Sequence, residues 1–137
     1  MVTSVELENL ARIGTLKREP PSLSELEGLR QSGEARLEDA SNPALSLESR
    51  FDLAYNAAHA LALVALRRAG FRSDKRYVVF QTLAHTLSIP ATTYRVLAKC
   101  HEIRNAGEYE GVLDIDEGLV EELLSAATAV RDALLKT

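Results

Sequence analysis

The chain has 137 residues and a formal net charge of −4, with 46% apolar and 26% charged residues. That length and balance suit one domain with its own core, and argue against a disordered chain or one that needs metals or disulfides to fold. The acidic balance supplies no global field for a nucleic-acid backbone, and the single Cys100 has no thiol partner for a disulfide or a zinc knuckle.

Aromatic residues make up only 5% of the chain and Trp is absent, so the core must come from Leu, Ala, Val and Ile, a mixture that favours helices over strands. The first helix is expected from Ser4 to about Leu16, ended by Pro20 and Pro21. Ser22 and Glu25 have the spacing of a capping box and open a second helix carrying Leu26, Gly33, Leu37 and Ala40, broken at Ser41-Asn42-Pro43. The third runs from about Leu45 to Ala69. Its apolar residues recur every three or four positions, and alanines at 54, 57, 58, 60, 62, 65 and 69 would let neighbours approach closely, as in the central helix of a bundle. Gly70 stops it.

A fourth helix is expected over 77–88, where Tyr-Val-Val-Phe imitates a strand but Tyr77, Phe80, Ala84 and Leu87 fit a helical face. Pro90 opens a fifth, from Ala91 to about Ala106, with Gly107 and Gly111 bracketing its end. The last starts at Asp114 or Asp116 and runs through Leu134, with acids in its first turn and Arg131 and Lys136 near its end, as the helix dipole favours. The expected architecture is all-α: an antiparallel up-and-down bundle of four long helices, with one or two short N-terminal helices forming an arm over 1–42 on a core spanning 43–137. No apolar run is long enough to span a bilayer, and the N-terminus lacks the basic start and apolar stretch of a signal peptide. A cytoplasmic protein is therefore expected.

Of the three histidines, His59 sits among the alanines of the third helix, where a core or interface role is the simpler reading. No two histidines share a metal-binding spacing and Glu-x-x-His is absent, so no metal and no cofactor is expected. The segment from Lys99 to Gly111 is richer. On a helix His101, Arg104, Asn105 and Glu108 share a face, with Tyr109 beside them. An Arg, an amide and a phenol together can grip a phosphate or a ribose edge, because the guanidinium is a fixed fork of donors. The plainer alternative is a solvated helix end, with Arg104 paired to Glu108 and Tyr109 packed on the bundle. The basic run Arg67, Arg68, Arg72, Lys75 and Arg76 reads either as cations suited to a helix C-terminus or as a docking edge for RNA or an acidic partner.

Three stretches together resemble the HEPN superfamily of small helical bundles. They are Tyr55-Asn56-Ala57-Ala58-His59 continuing to Gly70, Gln81-Thr82-Leu83-Ala84-His85, and Arg104-Asn105-Ala106-Gly107-Glu108-Tyr109. The resemblance implies a four-helix bundle, usually a homodimer whose Arg motifs face each other across a cleft. Many members are ribonucleases that use the Arg, a following polar residue and a His four to six positions further on. Arg104 and Asn105 match the first two parts, but Tyr109, Glu110 and Gly111 stand where the His would be. A phenol with an ordinary pKa near 10 is a poor proton carrier at neutral pH. The Glu-Tyr ending resembles non-cleaving branches, often partnered with a small nucleotidyltransferase in toxin–antitoxin-type pairs.

The leading expectation is thus a HEPN-like protein that binds a nucleotide, an RNA or a partner protein through Arg104, Asn105, Tyr109 and His101. Two rivals stand beside it. One is a metal-independent endoribonuclease toxin using Arg104 with His101 or His85; the other is a structural dimerisation module without a ligand.

Overall fold

The computed structural model describes residues 4–137. Helix starts follow the capping residues in the sequence. Ser4, Ser22, Ser46 and Asp116 each accept a hydrogen bond from an amide of the first turn, opening α1 (Val5–Arg12), α2 (Leu23–Ala40), α3 (Leu47–Arg68) and the final helix. Between α3 and the end lie α4 (Arg76–Gln81), α5 (Leu83–Thr86), α6 (Ala91–Glu110) and α7 (Glu117–Leu135). Two residues of β1 (Lys17–Arg18) pair antiparallel with two of β2 (Phe71–Arg72), a ribbon that the apolar pattern does not announce. With 72% of the described residues helical, the fold is an all-α bundle.

The bundle is built around α3, which packs against α2, α4, α5, α6 and α7. Ala54, Ala57, Ala58, Ala62 and Ala65 are buried along it, and one continuous core runs from Leu7 to Leu134. Small side chains set the spacing of α2 and α3. A Cβ on Gly33 of α2 would stand 2.8 Å from Cγ of the fully buried Leu61, so only glycine fits there.

Three expectations are corrected. α2, expected within an N-terminal arm over 1–42, is instead one of the four long helices, lying along α3 with Gly33, Leu37 and Ala40 buried. The fourth helix is two short pieces. Thr82 is fully buried, and its hydroxyl donates at 2.7 Å to the Val79 carbonyl, the acceptor that the next helical turn would use. The fifth helix passes through Gly107 and ends on Gly111, whose φ of +76° suits glycine. It can do so because Leu113 folds back over Gly107, where a Cβ would fall 2.4 Å from Leu113 Cδ2.

The capping box is half realised. Ser22 Oγ accepts from the Glu25 amide, but the Glu25 carboxylate accepts from Arg67 Nε at 2.8 Å. Arg67 is 3% exposed and fully occupied, since it also donates to the carbonyls of Glu19, Pro20 and Phe71 and faces the Glu19 carboxylate at 3.2 Å. It ties the α1–α2 connection and β2 to the end of α3. In the basic run, Arg72 pairs with Glu19 and Arg68 donates to Thr137, so these three arginines serve the fold.

Replacing Arg67 by Ala strips the donors from three carbonyls and leaves Glu25 unpaired, with an expected loss of about 3–5 kcal/mol in denaturant unfolding. Two glycines of α2 should respond in opposite directions. Gly28 has nothing within 4 Å of a built Cβ, so Gly28→Ala should gain about 0.5–1 kcal/mol of helix propensity. Gly33→Ala should lose stability despite the same propensity gain, because overpacking costs about 1–3 kcal/mol. Equal shifts in the two unfolding midpoints would refute the close α2–α3 approach.

Candidate functional site

Three helices bring polar groups to one patch. From α3 come Tyr55, Asn56 and His59, from α4 Arg76 and Tyr77, and from α6 His101, Arg104, Asn105 and Glu108. The organising residue is Tyr55. Its ring is fully buried, stacked 6.5 Å from Phe51 and edge-on to Phe80 at 5.7 Å, so its position is set by the core. Its hydroxyl must find a partner there and does so 2.8 Å from His101 Nδ1.

That bond fixes one side of the imidazole, and Asn105 fixes the other: its Nδ2 lies 3.1 Å from His101 Nε2. An amide nitrogen only donates, so Nε2 is the acceptor and the neutral ring carries its proton on Nδ1. The ring is also flanked by Tyr77, 5.8 Å between centroids. Burial, then the positive charges of Arg104 and Arg76, hold the His101 pKa below its usual value.

Two guanidinium groups from different helices lie against the Tyr55 ring, Arg104 at 5.0 Å and Arg76 at 5.4 Å from its centroid. Arg104 is paired with Glu108 at 3.0 Å, and that carboxylate is 61% exposed. Arg76 donates to the Asn56 amide oxygen at 2.7 Å and has no carboxylate partner among the described residues. The patch therefore carries two cations and one anion on a chain that is negative overall. A third imidazole lies within reach of the same field. His59 is half-buried, its ring edge-on to Phe80, and burial together with Arg76 and Arg104 pushes its pKa down to about 4.

The residues singled out from the sequence divide cleanly. His101, Arg104 and Asn105 fall in the cluster, and the Arg104–Glu108 pair of the plainer reading is present as well. Tyr109 lies one turn beyond Asn105 and is 93% exposed, neither packed on the bundle nor bonded to the cluster. His85 is exposed on α5. Tyr55 and Arg76 were missed as site residues. The signal was there in part: polar residues at 55, 56 and 59 interrupt an otherwise small, apolar helix.

Cys100 is buried and its thiol is pushed up to about 11 by that burial, which rules it out as a ready nucleophile. Among the described residues no three His, Cys, Asp or Glu side chains converge on a metal position, and no helix is long and apolar enough to cross a membrane. Comparison of the chain with protein-family models, with curated proteins and with solved structures finds no match.

The depressed His59 pKa has a direct consequence for stability. Between the unfolded value of 6.5 and the folded value of about 4, the unfolded chain binds the extra proton. Stability from this group is therefore full above pH 6.5 and lost as pH falls towards 4. Lowering pH from 7.5 to 5 should cost roughly 2 kcal/mol through His59. His59→Gln should flatten that part of the profile, measured by urea unfolding at the two pH values.

Proposed function

We propose that the patch formed by Tyr55, Arg76, His101, Arg104 and Asn105 holds the phosphate of a nucleotide or an RNA, in a HEPN-like helical bundle that works as a homodimer. The observation that carries this reading is the convergence of two guanidinium groups, from α4 and α6, over one core-anchored tyrosine ring, with only Arg104 paired to a carboxylate, the exposed Glu108. Guanidinium forks match phosphate oxygens in geometry and charge. The exposed Arg104–Glu108 pair contributes only about 0–1 kcal/mol, so a phosphate can displace Glu108 at little cost. Asn105 acts on His101 rather than on the ligand directly, and the open ring of Tyr109 offers a stacking surface for a base.

The patch is open to solvent, with Asn105 exposed and Tyr77 41% exposed. A second copy would add its own Arg104 and Arg76 and turn this shelf into a cleft, which is the arrangement the HEPN resemblance implies. The same resemblance suggests a small nucleotidyltransferase as a partner in a toxin–antitoxin-type pair, and a cytoplasmic setting.

One observation favours a catalytic variant of this reading. His101 is held between Tyr55 and Asn105, and its lowered pKa leaves it neutral at pH 7, the form a general base needs. Freed from Asn105, Nε2 would take the proton of a 2′-hydroxyl as that oxygen attacks the phosphorus and the bond from phosphorus to the 5′-oxygen breaks, giving a 2′,3′-cyclic phosphate. The departing 5′-oxygen takes its proton from water, and Arg76 and Arg104 bind the phosphate oxygens.

Binding is tested with a fluorescently labelled short RNA bearing a 3′-phosphate, by anisotropy at fixed salt. Arg104→Ala and Arg76→Ala should each weaken affinity at least tenfold, about 1.4 kcal/mol, with the helical circular-dichroism spectrum retained. Undiminished affinity in both variants would remove the reading. Cleavage of the RNA by the wild type, lost in His101→Ala with binding retained, would select the ribonuclease form.

A further inference from the structure

Two arginines of α3 are equally buried, and they are not equally satisfied. Every side-chain nitrogen of Arg67 meets a protein acceptor, as described above. Arg50 is only 6% exposed, yet it donates from Nε to the Ala40 carbonyl at 2.9 Å and from Nη2 to Glu121 at 3.3 Å, leaving Nη1 without a protein acceptor. Among the described residues no sealed side-chain nitrogen or oxygen lacks a partner, so Nη1 is reached from outside. Arg50 lines a concavity of about 540 Å³ between the end of α2 and α7.

The other walls narrow the choice of ligand. Ser125 and Thr128 carry hydroxyls with no side-chain bond to the protein, whereas the Ser41 hydroxyl is spent on the Leu37 carbonyl. Glu121, paired with Arg50, and Asp132, paired with Arg131, both line the opening, so a singly charged ligand suits it better than a dianion such as phosphate. A single carboxylate suits the guanidinium fork, taking Nη1 and sharing Nη2 once the mostly exposed Glu121 swings aside. Its far end would need a hydroxyl or an ammonium to meet Ser125, Thr128 and Asp132.

We propose that this concavity binds a small hydroxy- or amino-carboxylate, with the carboxylate on Arg50 and the polar end among Ser125, Thr128 and Asp132. The site is separate from the Tyr55 cluster and does not depend on its function.

The test is a ¹H–¹⁵N NMR titration of the whole chain with L-lactate and L-serine, using acetate and inorganic phosphate as comparators. Saturable shifts at the amides of Ser41, Ser125 and Thr128 with L-lactate or L-serine are expected, with weaker response to acetate and none to phosphate. Ser125→Phe closes the mouth without touching Arg50 and should weaken the response at least tenfold, as should Arg50→Lys, which keeps the charge and loses the fork. Arg104→Ala should leave it unchanged. Absence of saturation with both ligands, survival of the shifts in Ser125→Phe, or equal response to phosphate would overturn the proposal.

Discussion

The constraint on which this structure depends is the near-complete enclosure of α3. A helix packed on several sides must be apolar almost all round, and it must be narrow if its neighbours are to reach one another. Its alanines meet the second demand, and Gly33 on α2 extends the same logic across the contact. Any polar side chain placed on such a helix has to find a partner on a neighbour, because an unpaired polar group there costs about 1–3 kcal/mol.

Three polar side chains buried on α3 accept that condition, and each is directed at a different neighbour. Arg50 reaches the end of α2 and the side of α7. Tyr55 reaches α6 through His101. Arg67 reaches the segment between α1 and α2 and the start of the ribbon. The apolar surface supplies the drive to collapse, and these three contacts specify which elements lie where. They also explain why α6 is held although only Leu97 and Cys100 are buried along it. Much of its placement near α3 and α4 comes from the aromatic and polar contacts around Tyr55.

The same three residues separate structure from function by how fully they are used. Arg67 has no capacity left, and its place in a basic run says nothing about ligands. Tyr55 is anchored on one side by Phe51 and Phe80 and on the other presents a surface to two guanidinium groups, so a core element sets the geometry of a charged shelf. Burial, reinforced by the clustered charge, favours the neutral form of both nearby imidazoles. Positive groups crowded beside a buried histidine raise the cost of protonating it, and the same crowding attracts an anion.

Read alone, the sequence determined the helical class, the Ser22 cap, the alanine-rich central helix and the shared face of His101, Arg104 and Asn105. All of these follow from local spacing and from the chemistry of neighbouring residues. It named Leu26, Gly33, Leu37 and Ala40 on α2 but set that helix on an arm, and only packing shows that Gly33, Leu37 and Ala40 are buried along α3. Continuity of the fourth helix depended on where the buried Thr82 hydroxyl would find an acceptor, which no periodicity records. Arg67 and Arg76 look alike in a run of cations, yet one is sealed among carbonyls and the other joins the cluster. Tyr55 and His101 are 46 residues apart, and their bond exists only once α3 and α6 lie side by side. Spacing along the chain sets which groups share a face; distances between faces belong to the folded state.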